Sequence, residues 1–356
     1  MHILRNNTPL PINYGQTLPP GEWLVQDEQA FRWASAAERG SVRLEVFNQV
    51  GRFSANPKQI LLIRSGAIGD LLLLSPCIAA LKAKYPQAQI WLSHFEKHTP
   101  IFHDFGVMSA HYPMAVSALS QFDLIIPLEN IVENSTEKGV HATDAFAEAL
   151  GVSVIDYKPT YTVTNDEKRA ALTRYPRPTF CGGDPIQPKP RVALQLRASA
   201  RIRDYHMQQW GEVVNTLLQR GWQIMLIGKD NPSDTNKLGP NIKDCSALSF
   251  REAAAVLATC DVFCGVDSSF FNLCPALGVP AIGLFGPVDW RTRIKEGSGQ
   301  LALAGVGDCA PCGWTNSRGG QKFPPTGPCA KVGFCVPLAE IKPARVVAVI
   351  EREAKK

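Results

Sequence analysis

Residues 60–84 read ILLIRSGAIGDLLLLSPCIAALKAK, and three successive patterns in them decide the fold class. The apolar run 60–63 with Arg64 is a buried-strand pattern, 65–69 is a turn of small residues, and 71–84 is an apolar helix stopped by Pro86. A strand that is apolar on both faces belongs in a parallel sheet covered by helices. Outward from this unit the rhythm repeats. Strands are predicted at 89–93 and 123–127, with a helix over 142–150 closed by Gly151. Five prolines with Gly182 and Gly183 break both periodicities between 175 and 190, which predicts an interdomain linker. A second series follows, with strands at 191–196, 222–227, 261–265 and 281–285. Its helices are 207–220, 250–258 with Ser249 as N-cap, 270–277 and 338–353.

Upstream, residues 1–55 are Pro-rich, lack helical periodicity and contain short extended candidates at 22–25 and 42–47. The expected organisation is therefore a β-rich extension over 1–55, a doubly wound Rossmann-like domain over 56–175, a linker over 176–190 and a second such domain over 191–356. Two such domains imply a cleft, and ligands in these sheets bind outside the carboxyl ends of the strands.

Composition narrows the function classes. The 356 residues are 45% hydrophobic and 19% charged, enough for two cores and too apolar for a disordered chain. No apolar run approaches the roughly 18 residues of a membrane helix, and 1–11 lacks the apolar stretch of a signal peptide. A cytoplasmic protein is expected, with no membrane span and at most peripheral membrane contact. The net charge of +5 favours an anionic ligand but falls far short of a nucleic-acid-binding stripe.

Three strand ends carry chemistry. The first, 64–70, is neither G-x-G-x-x-G nor a Walker loop, but it sets Asp70 at a helix N-terminus, where a carboxylate serves as a base or simply as a favourable helix charge. The second, GVDSSFFN at 265–272, places Asp267, Ser268 and Ser269 ahead of a helix, as a phosphate site or ordinary capping requires. The third carries Arg197, Arg201 and Arg203 directly after a strand, which suits a diphosphate.

The stretches LLIRSGAIGDLLLLSPCIAALKAKYP (61–86), ALQLRASARIRDYHMQQW (193–210) and VFCGVDSSFFNLCPALGVPAIGLFGPVDWRT (262–292) resemble the signatures of the lipopolysaccharide heptosyltransferases, glycosyltransferase family 9. The resemblance runs from about 58 to 350, omits the first 55 residues, and implies the GT-B fold. It implies Asp70 as the catalytic base, Gly69 as a donor-binding residue beside it, and Ser199 and Arg203 as phosphate contacts. Asp267, Ser268, Ser269 and Asn272 take the donor site, Ser269 standing where the family has glycine and Asn272 where it has histidine. The implied reaction is inverting transfer of a sugar, first of all heptose from ADP-heptose, to a hydroxyl. Without an Asp-x-Asp signature it needs no catalytic metal. The acceptor is a lipopolysaccharide core sugar, a protein hydroxyl or a modified nucleobase. Two other classes stay open, a nucleotide-sugar epimerase, for which His206 is the available histidine, and an inactive sugar-binding protein.

Ten cysteines without an export signal argue for thiols or a metal. Cys77, Cys181, Cys245, Cys260, Cys264 and Cys274 are scattered, as small core residues would be. Cys309-x2-Cys312 and Cys329-x5-Cys335 form a cluster that reads as a structural zinc or iron site, free thiols or disulfides. The autotransporter heptosyltransferases, which this chain resembles, use such a cluster for iron.

Overall fold

The computed structural model describes residues 2–6, 12–13, 17–18, 21–25, 42–46, 56–64, 66–94, 101, 104–111, 114–178, 188–229, 239–314, 323–324 and 328–355. Ser65, Cys181 and the middle of the expected linker lie outside these residues.

In chain order the elements open with strands β1 (His2–Asn6), β2 (Ile12–Asn13), β3 (Thr17–Leu18), β4 (Gly21–Val25), β5 (Val42–Val46) and β6 (Gln59–Ile63). Helix α1 (Ile68–Lys84) follows, then β7 (Gln89–His94), β8 (Met108–His111), β9 (Met114–Ala115) and β10 (Leu124–Pro127). Helices α2 (Ile131–Lys138), α3 (Ala142–Leu150) and α4 (Asn165–Arg174) lead to β11 (Arg191–Gln195), α5 (Met207–Gln219), β12 (Gln223–Leu226) and β13 (Ile242–Asp244). The chain continues through α6 (Phe250–Leu257), β14 (Val262–Val266), α7 (Ser269–Leu277), β15 (Ala281–Phe285) and β16 (Gln300–Ala304). It closes with α8 (Pro328–Val332), α9 (Val336–Ala339) and α10 (Pro343–Glu353).

Two compact units result. One comprises 1–71, 77–132 and 146–154; the other comprises 72–76, 133–145 and 155–356. In the first, β5-β1-β4-β9 is an antiparallel sheet, so the amino-terminal strands are continued by a strand from beyond β8. Its second sheet, β10-β6-β7-β8, is parallel throughout. The chain winds outward from β6 to β8 and returns on the other side as β10. The strand order therefore reverses between β6 and β10.

The second unit holds a six-stranded parallel sheet, β13-β12-β11-β14-β15-β16, whose order reverses between β11 and β14. All five residues of β11, β14 and β15 are buried, as strands covered on both faces must be. At the amino edge of this sheet the buried Arg191 donates to Gln223 Oε1 (2.7 Å), Thr259 Oγ1 (2.8 Å) and the Tyr175 carbonyl (2.8 Å). That edge is fastened by polar contacts, which leaves the carboxyl edge for chemistry.

Local sequence explains the helices. Pro76 sits inside α1 and cannot donate to the Leu72 carbonyl four residues back; the Ser75 hydroxyl donates to that carbonyl at 2.7 Å instead. Ser249 and Glu252 form the capping box that starts α6. The helix expected over 338–353 is two helices, because Pro343 has no N–H to continue a preceding turn and instead occupies the first position of α10. The expected strand and helix at 89–93 and 142–150 appear as β7 and α3. Strands β8, β9, β13 and β16 and helices α2, α4 and α8 were outside the sequence expectation. Among the described residues no helix is long and apolar enough to cross a membrane.

Candidate functional site

The first candidate lies in unit one at the β6/β10 reversal. Helix α1 starts at Ile68, so Gly69 is buried and Asp70 occupies the third helical position. The Asp70 side chain is 21% exposed and accepts from Arg64 Nη2 at 2.8 Å. Arg64, the residue that follows β6, is buried, and its Nη1 also donates to the Leu128 carbonyl at 3.3 Å. Glu129 Oε2 stands 3.5 Å from the same Nη1. Sequence reading found the base candidate and missed Glu129; the only available signal was an acidic residue directly after a strand.

The second candidate lies in unit two at the β11/β14 reversal. Arg203 Nη1 donates to both the carbonyl and Oδ2 of Asp267 at 3.1 Å, and Nη2 donates to Ser199 Oγ at 2.7 Å. Arg293 Nε is 3.8 Å from Asp267 Oδ1, so two guanidinium groups share one buried carboxylate. Ser268 caps α7 by accepting from the Phe271 N–H, and its hydroxyl donates to Gln195 Oε1 at 2.5 Å. Ser269 opens the helix half-buried, and Asn272 is buried in its first turn. Ser199, Arg203, Asp267 and Ser268 are thus brought together; Arg293 and Gln195 are additions that sequence reading did not supply.

Two donors here lack partners. Shielded from solvent, the Nε–H groups of Arg197 and Arg203 find no hydrogen-bond acceptor among the described residues. Arg201 is exposed, whereas Arg197 is 3.6 Å from Asp204 Oδ2. Burial holds the Asp204 carboxyl above its ordinary range. His206 precedes α5 and meets Phe334 edge to face at 5.3 Å.

A further titratable group in unit two joins Asp144 to Lys295 (2.6 Å) and to the Tyr157 hydroxyl. Beside it, burial and then the Lys295 charge push His141 down to about 4, and its Nδ1 accepts from the Thr143 N–H at 3.2 Å.

The four clustered cysteines fall as follows. Cys329 and Cys335 are buried in the unit-two core, Cys309 is half-buried and Cys312 exposed. Burial, followed by the neighbouring Cys329 and Cys312, pushes the Cys309 thiol up, and burial takes Cys335 up to about 12. The four therefore lie within electrostatic reach of one another. Among the described residues no group of three or more His, Cys, Asp or Glu stands as a metal-holding set. The segment is seated closely on the sheet, since a Cβ on Gly305 would lie 1.9 Å from the Pro337 carbonyl oxygen. Cys77, Cys245, Cys260, Cys264 and Cys274 are buried and form no disulfide among the described residues.

Comparison with known proteins follows the same lines. Residues 129–295 match glycosyltransferase family 9 (heptosyltransferase). Lipopolysaccharide heptosyltransferase 3 of Escherichia coli K12 is 22% identical over 281 residues, 63% of this chain and 82% of that protein. The ADP-heptose lipopolysaccharide heptosyltransferase II of E. coli superposes with a TM-score of 0.56 at 16% identity, over 83% of this chain and 98% of that one. The iron-containing dodecameric glycosyltransferase TibC of enterotoxigenic E. coli H10407 superposes with a TM-score of 0.61 at 12% identity, over 99% and 91%. This last match takes in the amino-terminal strands. TibC has also been solved in complex with ADP-D-β-D-heptose.

Proposed function

We propose that this chain, a glycosyltransferase of the GT-B fold whose residues 129–295 match glycosyltransferase family 9, transfers heptose from ADP-heptose to a hydroxyl acceptor, with inversion and without a catalytic metal. The acceptor O–H proton passes to Asp70 as the acceptor oxygen bonds to the anomeric carbon from the face opposite the diphosphate. The bond from that carbon to the diphosphate oxygen breaks, and its electron pair leaves on ADP. Charge developing on the leaving group is met by Arg203, Arg197 and the amino end of α7, donors already in place before reaction.

The observation that carries this reading is the convergence of Arg203, Ser199 and the amino end of α7 at the β11/β14 reversal. Asp267 with Ser199 holds the Arg203 fork in a fixed direction, so its positive charge is set in place for a diphosphate. Asp267 thereby acts by holding Arg203. A lipopolysaccharide core sugar is the first acceptor to test, in keeping with the heptosyltransferase 3 relative. A protein hydroxyl or a modified nucleobase are the alternatives that the same assay separates.

Titration with ADP-heptose in a calorimeter tests the donor site. Arg203→Ala is expected to weaken binding by about 1.5 to 3 kcal/mol, the scale of a charge-assisted hydrogen bond. Unchanged affinity would place the donor elsewhere.

The same reading assigns Cys309, Cys312, Cys329 and Cys335 to a structural zinc or iron ion, for which four thiolates are suitable soft ligands. The ion would brace a Gly/Pro-rich segment with little core of its own. Protein purified without added metal is expected to contain near-stoichiometric zinc or iron, and Cys312→Ser is expected to lower the melting temperature more than it lowers kcat. Metal-free protein with four titratable thiols overturns the assignment.

A further inference from the structure

We propose that Arg64 and Glu129 form a positioning device for Asp70, in which Arg64 aims the carboxylate and Glu129 shares the guanidinium so that Asp70 remains able to take a proton. The inference rests on the reading of Asp70 as the base.

It follows from strand order. β10 lies parallel to β6 with Pro127 opposite Ile63, so Arg64 and Leu128 leave the sheet side by side at the reversal point. Asn130 then adopts φ 60°, a left-handed conformation that asparagine tolerates better than most residues, and turns the chain into α2 directly after Glu129. These two strand ends, 64 residues apart in sequence, deliver one cation and one anion beside the first turn of α1.

The contacts make a rigid fork. Nη2 of Arg64 donates to Asp70 Oδ2 at 2.8 Å; Nη1 donates to the Leu128 carbonyl and lies 3.5 Å from Glu129 Oε2. Phe146 flanks the guanidinium, its ring centroid 6.0 Å from Cζ. Gly66 is part of the same arrangement, because a Cβ there would come within 2.4 Å of Arg64 Nε and 2.7 Å of Cζ. The guanidinium has no room to retreat, so any side chain at 66 displaces it.

Exposure separates the roles. Arg64 is 1% exposed and Glu129 5%, against 21% for Asp70, so only Asp70 reaches outward. Oδ1 of Asp70 has no hydrogen-bond partner among the described residues, which leaves it to take the acceptor proton while Oδ2 is held. One guanidinium and two carboxylates sum to a net charge of −1. A proton arriving at Asp70 brings that sum to zero, whereas an Arg–Asp pair alone would be left with a net positive charge beside the buried guanidinium.

The test uses the full chain and a double-mutant cycle with Asp70→Asn. Arg64→Lys keeps the charge and loses the fork; Gly66→Ala keeps every charge and moves the fork; Glu129→Gln keeps the shape and removes one charge. Each is expected to lower kcat by about 10- to 100-fold, the cost of small misplacements of a reacting group, with acceptor KM and calorimetric donor affinity unchanged. In the Asp70→Asn background the same substitutions are expected to change the residual rate little, since the group they position is gone. Equal losses in both backgrounds would mean that they support only the fold, and wild-type kcat in Gly66→Ala and Glu129→Gln would also overturn the proposal. Near-normal turnover by Asp70→Asn alone would instead remove the base reading itself.

Discussion

Asp70→Asn is expected to lower kcat by about 10² or more while ADP-heptose affinity and melting temperature stay close to wild type, because loss of a general base is felt only when the proton moves. The amide is nearly isosteric with the carboxylate and can still accept from Arg64 through its oxygen. Arg64 also keeps Glu129 as a counter-charge, so the substitution does not strand a buried guanidinium. The donor groups proposed to grip ADP-heptose belong to the other unit and are untouched. Steady-state kinetics, donor calorimetry and thermal unfolding on the same preparation separate the effects. A kcat near wild type would return Asp70 to the other role open to it, that of a first-turn charge favoured by the helix dipole and worth at most about 1 kcal/mol.

The position of Asp70 was legible in the sequence, whereas its surroundings were not, and the difference is physical. A short apolar run followed by small residues and a second apolar run specifies strand, turn and helix locally, so the local pattern alone puts Asp70 at the carboxyl end of a strand. Asp267 and the Arg197–Arg203 segment are placed in the same way, each just after a buried strand. Which strand ends lie side by side is a property of sheet order. The meeting of Arg64 with Glu129 depends on β10 returning beside β6, and that of Arg203 with Asp267 on β14 returning beside β11. No local periodicity carries that information.

The missed elements have equally specific causes. Helix α4, NDEKRAALTR, has no apolar stripe beyond Ala171, yet Thr164 and Glu167 form a capping box and the helix packs on α6. β13 is three residues long and only Ile242 is buried, too little for an apolar run. The expected single tail helix ignored Pro343, although a proline there marks a helix start.

The resemblance to family 9 implies that Asp267 serves the donor directly, and the structure gives it a different partner set, which leads to the other large expected effect. Asp267 is buried, and its carboxylate lies between Arg203 and Arg293. Asp267→Ala therefore removes the counter-charge of two guanidinium groups at once; breaking a buried ion pair from one side typically costs about 3 to 5 kcal/mol, since the remaining charge is left uncompensated. For a unit of roughly 200 residues that corresponds to a fall of about 6 to 20 °C in its melting transition. Arg293 also donates to Thr136 and to the hydroxyl and carbonyl of Thr292, so it keeps most of its network, whereas Arg203 keeps the residue-267 carbonyl and Ser199 and loses its one carboxylate. Arg203 should therefore be the more displaced, and donor affinity should fall with stability. Asp267→Asn, which still accepts hydrogen bonds but carries no charge, should fall between wild type and alanine on both measures. Scanning calorimetry of the three proteins with and without ADP-heptose decides the matter. An alanine variant that melts like wild type yet binds no donor would mean that Asp267 faces the sugar nucleotide itself, and that its two arginine contacts are incidental to the fold.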